Sequence, residues 1–223
     1  MATHSSIRRF LFTVGYAENG LKNGGTMAAA QFFPITGEAV SLDTIVPTGE
    51  DLSDNVVIQT LDAYGYTLAT YTWNDWQFDT ACWIDNNDQK VTGVTFAPGQ
   101  GLWVYGSSTS QSIQSCGKVG TVDVSVALRA GGTAAGNPFP VDIDLNDIVP
   151  QGDDLSDNVV IQTLDAYGYT VATYTWNDWQ FDTACWIDNN DNQVTGVTIA
   201  AGQGLWIYGS STSQYVVFPA PEL

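Results

Sequence analysis

Few side chains in this 223-residue sequence are suited to catalysis. The only histidine, His4, lies outside the internal repeat described below, so no repeated segment pairs a nucleophile with a histidine. Asp75 and Asp79, which recur later in the chain, are candidates for acid–base chemistry on a sugar, which needs two carboxyl groups about 5 to 9.5 Å apart. Acidic residues in turns more often only solvate a surface. We therefore predict a protein that is not an enzyme and has no catalytic residues.

Two acidic loops offer the oxygen ligands that calcium prefers. Asp85 and Asp88 bound the first loop, and Asp188 and Asp191 bound the second. Neither loop has the glycine and the closing Glu of a twelve-residue EF-hand loop. Asn and Asp also favour turns because their side chains bond to the local backbone. The sequence leaves calcium binding and a solvated β-turn open, and it predicts no other cofactor.

Tryptophans are the candidates for ligand stacking. The chain has eight of them, and an all-β domain needs most of its large side chains for the core. Alternation along a strand leaves at most one or two per repeat facing solvent. Trp76 and Trp179 are the two that we expect to stack on a glycan.

The charge balance excludes several partners. Against 24 acidic residues stand 6 Lys and Arg, which gives a net charge of -18, and such a surface repels phosphate backbones. No stretch approaches the roughly 18 to 20 apolar residues of a membrane span. The pair Arg8 and Arg9 is followed by too short an apolar run for a signal peptide. We predict no nucleic-acid partner, no membrane insertion and no leader, and we expect the three cysteines to be free, buried thiols.

The strongest signal is an internal repeat. Residues 51–113 align without a gap onto residues 154–216 and differ at only eight of 63 positions. Each repeat contains short runs of alternating apolar residues, rich in β-branched and aromatic types, between turn residues. In the first repeat the predicted strands are 40–46, 56–61, 66–73, 76–84, 91–96 and 101–105. The prediction is an all-β chain of two tandem antiparallel sandwich or barrel-like domains from an internal duplication, 1–118 with an N-terminal arm (1–10) and 119–223.

Three segments of the second repeat carry a family resemblance. They are Leu-Arg-Ala-Gly-Gly-Thr-Ala-Ala-Gly-Asn-Pro-Phe-Pro (128–140), Asp-Leu-Asn-Asp-Ile (144–148) and Gly-Gln-Gly-Leu-Trp-Ile (202–207). Together they resemble a β-module of bacterial surface proteins and of proteins encoded by bacterial viruses. The first repeat keeps only the third segment, at 99–104. The resemblance implies a structural or adhesive module without catalytic residues.

These observations predict a non-enzymatic assembly subunit of a bacteriophage virion, such as a capsid decoration, head or tail component. Its partners would be copies of itself and other virion or surface assembly proteins. The alternative is a secreted or cell-surface module that binds carbohydrate or acts as an adhesin. The arm, with Arg8, Arg9 and Phe10, is expected to reach an acidic surface on a neighbouring copy, and packing as an edge strand on its own domain stays equally open.

Overall fold

The computed structural model describes residues 14–32 and 39–222. Within these ranges the chain forms twenty strands, two short 3-10 turns (Leu42–Thr44 and Leu145–Asp147) and no α-helix. The sheets are small and antiparallel, and together they are arranged as a propeller-like ring with four blades. The predicted all-β class is confirmed. Arg8, Arg9 and Phe10, predicted to take part in assembly, lie outside the described residues.

The strands fall into two consecutive sets of ten. The first set, unit one, contains β1 (Val14–Gly20), β2 (Gly24–Ala29), β3 (Val40–Ser41), β4 (Ile45–Thr48), β5 (Val57–Leu61), β6 (Thr67–Asn74), β7 (Cys82–Ile84), β8 (Thr95–Phe96), β9 (Gly101–Gly106) and β10 (Ser112–Lys118). The second set, unit two, contains β11 (Val124–Ala127), β12 (Gly131–Gly136), β13 (Ile143–Asp144), β14 (Val149–Gln151), β15 (Val160–Leu164), β16 (Thr170–Asn177), β17 (Cys185–Ile187), β18 (Thr198–Ile199), β19 (Gly204–Gly209) and β20 (Tyr215–Phe218).

Both units pair their strands in the same way. Unit one has a five-stranded sheet in the order β2-β9-β5-β6-β7, a three-stranded sheet β1-β10-β4 and the pair β3-β8. Unit two repeats this with β12-β19-β15-β16-β17, β11-β20-β14 and β13-β18. Each unit also has its own buried apolar cluster. The boundaries of the predicted domains, 1–118 and 119–223, stay a prediction.

A tight turn joins β5 to β6 and explains why the sequence forms this hairpin. One carboxylate oxygen of Asp62 accepts the backbone N–H groups of Tyr64 (2.8 Å) and Tyr66 (2.9 Å). Gly65 has a φ of +84°, a conformation that costs glycine little. Asp165 makes the same bonds to Tyr167 and Tyr169 in unit two. The turn therefore holds two tyrosines per unit at the tip of the hairpin.

Three predicted strands differ from those in the structure: a 3-10 turn divides residues 40–46 between β3 and β4, and two others are much shorter than expected. Of residues 76–84 only Cys82–Ile84 form a strand, because side chains take the backbone donors that a ladder would use. Gln77 N–H donates to the Asn74 side chain (2.9 Å) and Asp75 N–H to the Ser53 hydroxyl (3.1 Å). Of residues 91–96 only Thr95–Phe96 are in a strand, since the chain turns at 93, a glycine with φ +73°.

The expectation of buried thiols holds for two of the three cysteines. Cys82 and Cys185 are buried and free, whereas Cys116 is free but exposed. Cys116 is paired across the sheet with Tyr16, which is itself exposed, so both side chains face solvent.

Candidate functional site

The two units touch through reciprocal contacts. Gly25 N–H donates to the Ala166 carbonyl (2.7 Å), and Gly132 N–H donates to the Ala63 carbonyl (2.8 Å). Gly25 and Gly132 occupy equivalent positions in the two units, as do Ala63 and Ala166. The same hydrogen bond therefore occurs twice, once from unit one to unit two and once from unit two to unit one. Such reciprocal contacts relate the two units by a pseudo-two-fold axis. The tip of each hairpin therefore lies against the first strand of the other unit's five-stranded sheet.

A second reciprocal set ties the same strands together closer to the axis. Ala29 N–H donates to the Gly202 carbonyl (2.8 Å), and Gly136 N–H donates to the Gly99 carbonyl (3.0 Å). An isolated antiparallel bridge joins Ala28 to 203, and its counterpart joins 100 to 135. The two five-stranded sheets thus share backbone hydrogen bonds across the junction.

A cleft of about 760 Å³ lies at this junction, within the usual range for small-ligand sites. Both units line it. Unit one contributes Gly24, Met27, Gln59, Leu61, Ala63, Tyr64, Gly65, Thr67, Trp103 and Tyr105. Unit two contributes Gly131, Gln162, Leu164, Ala166, Tyr167, Gly168, Thr170, Trp206 and Tyr208.

Strand alternation aims these side chains at the cleft. In β5 and β9, Ile58 and Val104 face the core, so their neighbours Gln59 and Trp103 face the opposite side of the sheet. Trp103 and Trp206 then meet Met27 in a small buried cluster at the base of the cleft. Each indole also packs closely on a glycine of the adjacent strand, where a Cβ would clash. The floor is therefore a pair of aromatic side chains, one from each unit.

Polar groups beside this floor can form further hydrogen bonds. The Gln59 side-chain oxygen accepts from the Thr67 hydroxyl (3.0 Å), and its amide nitrogen lies 3.5 Å from the Thr70 hydroxyl. Gln162 makes the same two contacts in unit two. Within the described part of the chain, the indole N–H groups of Trp103 and Trp206 make no hydrogen bond. The cleft thus places glutamine amide groups and threonine hydroxyls beside the two indoles.

The cleft carries no formal charge. Among the residues that the structure describes, none of those lining it is Asp, Glu, Lys, Arg or His. The chain has 24 acidic residues, yet the described residues that line the cleft supply neither a carboxylate nor a cation. The arrangement suits a neutral ligand that offers apolar faces and hydroxyl groups together.

The acidic loops do not line the cleft, and their aspartates accept hydrogen bonds from the backbone of the same loop. One oxygen of Asp85 accepts backbone N–H groups of Asn87 (2.8 Å) and Gln89 (3.0 Å), and Asp188 does the same with Asn190 and Asn192. In residues 14–32 and 39–222, no group of three or more His, Cys, Asp or Glu is placed to hold a metal ion. Calcium binding at Asp85, Asp88, Asp188 and Asp191 stays a prediction.

These hydrogen bonds predict a pH dependence. The backbone N–H groups of Gln89 and Asn192 lower the pKa of Asp85 and of Asp188. A carboxyl whose pKa is lowered by folding stabilises the fold above its unfolded pKa, and this contribution is lost as pH falls through the folded value. We expect the double variant D85N/D188N, which keeps the acceptor oxygens, to show a shallower loss of urea midpoint on acidification.

The matched control is D79N/D182N, which removes two exposed carboxylates that make no hydrogen bond within the described residues. It should leave the slope of urea midpoint against pH unchanged. Equal slopes for wild type and D85N/D188N would contradict the assignment of this dependence to the two turns.

Trp76 and Trp179, predicted to bind glycan, lie outside the cleft on the loops after β6 and β16. Both are 68% exposed, and each indole N–H donates to an aspartate, Asp54 or Asp157, at 3.2 Å. The other six tryptophans are 8% exposed or less. One tryptophan per repeat therefore faces solvent, which agrees with the expectation of at most one or two. Glycan binding by Trp76 and Trp179 stays a prediction.

Sequence reasoning missed the cleft because its two halves come together only when the units dock. One local signal was present. Trp103 and Tyr105 alternate with core residues in β9 and therefore share the face opposite the core. Two large aromatics on a non-core face indicate that something else covers that face.

Comparisons with protein-family models, with curated proteins and with solved structures give no match to this chain. In the described ranges, no helix has the length and apolar character needed to cross a membrane.

Proposed function

We propose that this chain is a non-enzymatic carbohydrate-binding protein whose site is the cleft between the units. The observation that carries the proposal is the lining itself: tryptophan, tyrosine, glutamine and threonine from both units, with no charged residue among those described. Aromatic faces pack against the apolar faces of sugar rings. Amide and hydroxyl groups both donate and accept hydrogen bonds, as sugar hydroxyls do.

The charge of the chain supports a neutral glycan over an acidic one. A net charge of -18 produces a field that repels anionic polysaccharides on approach. An apolar or proline-rich peptide also fits aromatic surfaces, but its backbone offers mainly carbonyl acceptors. Amide N–H groups are satisfied by either ligand. The oxygens of Gln59 and Gln162 each accept one threonine hydroxyl, and their second lone pair can accept a sugar hydroxyl, which a proline-rich peptide backbone does not supply.

An array of neutral glycans, followed by titration calorimetry, tests the proposal. Replacing Tyr64 and Tyr167 with alanine should lower glycan affinity about tenfold or more, because each ring is lost from the cleft wall. Both rings are more than three-quarters exposed, so the urea midpoint should not change.

The chain supplies a matched control two residues away. Tyr66 and Tyr169 belong to the same turns and are similarly exposed, but they do not line the cleft. The double variant Y66A/Y169A should bind like wild type. Binding that is lost in W76A/W179A but kept in Y64A/Y167A would assign the glycan to Trp76 and Trp179, and binding of a polyproline peptide alone would contradict the proposal.

The assembly role is the second candidate, and exposed apolar side chains favour it. Tyr66, Leu68, Tyr169 and Val171, at or just before the starts of β6 and β16, are 64 to 73% exposed. Exposed apolar side chains in number are a feature of protein interaction surfaces. We propose a bacteriophage virion as the setting for this role, and the extracellular space or a cell surface as the setting for glycan binding. Native mass spectrometry showing only monomer at high concentration would count against self-assembly.

We also propose that each unit is a β-sandwich and that the units arose by duplication. The support for the sandwich is a shared core: in unit one Ile45 and Ile113 from the three-stranded sheet join Ile58 and Val104 from the five-stranded sheet. The support for duplication is the ungapped repeat of 63 positions with eight differences.

A further inference from the structure

The two halves of the cleft are chemically the same except at one position. Nine lining residues of unit one have an identical counterpart that lines the cleft from unit two. The exception is Met27, whose counterpart by strand register is Ala134. A two-fold cleft with matching halves contains two equivalent subsites, and one methionine breaks their equivalence.

Met27 has a longer side chain than its counterpart and reaches across the junction between the units. Its side chain packs between Trp103 and Trp206 and is 7% exposed. It also crosses to the other unit, because a Cβ at Gly204 would lie 2.3 Å from its Cγ. Ala134 is shorter by three heavy atoms and is not among the cleft-lining residues, so of the described residues Met27 alone lines one half of the cleft without an equivalent in the other half.

We propose that the cleft binds two adjacent sugar rings of one neutral glycan chain, one ring in each unit's subsite, and that Met27 fixes the direction of that chain. This inference rests on the proposed carbohydrate function. A two-fold axis across a linear glycan exchanges its reducing and non-reducing ends, so two matching subsites alone would accept both directions. Steric exclusion by Met27 from one subsite selects between them, since a few methylene groups discriminate by about tenfold or more.

The test uses the full chain and a free thiol that it already has. Cys116 is exposed, while Cys82 and Cys185 are buried, so a nitroxide label attaches at Cys116. The probes are neutral di- and tetrasaccharides of glucose, mannose, galactose, xylose and N-acetylglucosamine, first screened by calorimetry. Those that bind are then labelled at the reducing end, and the distance between the two nitroxides is measured by pulsed electron resonance.

Wild type should bind one disaccharide per chain and give one distance for the labelled tetrasaccharide, favoured about tenfold or more. In M27A both directions become equivalent, and two distances should appear in similar amounts. In the swapped variant M27A/A134M the second distance should dominate, because the bulky side chain now lies in the other subsite.

The outcomes separate this inference from the function it rests on. No binding of any probe, or binding that Y64A/Y167A leaves unchanged, overturns the glycan function of the cleft. Binding that Y64A/Y167A weakens, but with two distances already present in wild type or with an unchanged distance in M27A/A134M, overturns only the role of Met27. Two disaccharides per chain overturn the occupation of both subsites by one chain.

Discussion

Replacing Gly132 with alanine is expected to destabilise the folded chain by about 1 to 3 kcal/mol. A Cβ at this position would lie 2.1 Å from Cζ2 of Trp206, far inside van der Waals contact. Trp206 is 8% exposed and packs against Met27 and Trp103, so its indole moves only at the expense of that cluster. The urea midpoint should fall, and glycan binding should weaken with it because the displaced indole forms the cleft floor.

A control and a second substitution make this prediction specific. A Cβ at Gly20 would have no heavy atom within 4 Å, so G20A should change the free energy of unfolding by less than about 0.5 kcal/mol. W206L removes the ring that clashes, so G132A should cost little in that background, and the double-mutant cycle should give a coupling energy close to the cost of G132A alone. An equal cost of G132A in both backgrounds would show that the indole is not the cause.

The second large effect is expected at Gln214, whose side chain is fully buried. Its amide nitrogen donates to the backbone carbonyls of Asp153 (2.8 Å) and Asp154 (2.9 Å), and its oxygen accepts the Ser210 N–H (2.8 Å). Alanine would remove three hydrogen bonds from half-buried backbone groups, and each group that water does not reach in the variant costs about 1 to 3 kcal/mol. We expect Q214A to lose about 2 to 4 kcal/mol of unfolding free energy in urea titrations.

The glutamate variant Q214E separates hydrogen bonding from shape. It keeps the side-chain volume but sets a carboxylate against two carbonyl oxygens, which raises the pKa of that carboxyl in the fold. Its stability deficit should therefore grow as pH rises through the ordinary carboxyl range and shrink as pH falls. Q193A, which truncates an exposed glutamine, is the control and should be close to wild type. A Q214A variant as stable as Q193A would show that the hydrogen bonds of the Gln214 side chain do not stabilise the fold.

Local patterns predict the strands of this chain well where the backbone ladder has no competitor. Runs such as 56–61 and 101–105 are rich in β-branched or aromatic residues, and the structure has strands Val57–Leu61 and Gly101–Gly106 there. The run 76–84 is also predicted as one strand, yet Asn74 accepts the backbone N–H of Gln77, and Ser53 accepts that of Asp75 just before the run, so the chain forms a loop there instead. Ser53 is more than twenty residues away, and a window of local sequence does not contain it.

The cleft was harder to predict from the sequence than the strands were. The repeat shows that the two units are alike, but an offset along the chain says nothing about how two like surfaces face each other. That relation depends on the small residues at the junction, such as Gly25 and Gly132, which bring the backbones within hydrogen-bonding distance. Residues 24 and 208 line one cleft only after this docking.

The reciprocal contact between the units would serve equally well between two separate copies of a single unit. Such a homodimer would form its cleft only above its dissociation constant, and dilution would abolish binding. Joining both halves in one polypeptide makes the encounter intramolecular, with an effective concentration set by the short tether between β10 and β11. The cleft therefore exists at any dilution. In a homodimer the two equivalent positions across the axis always carry the same residue, because one gene encodes both copies. The joined chain can carry different residues there, and it has Met27 in one unit and Ala134 in the other.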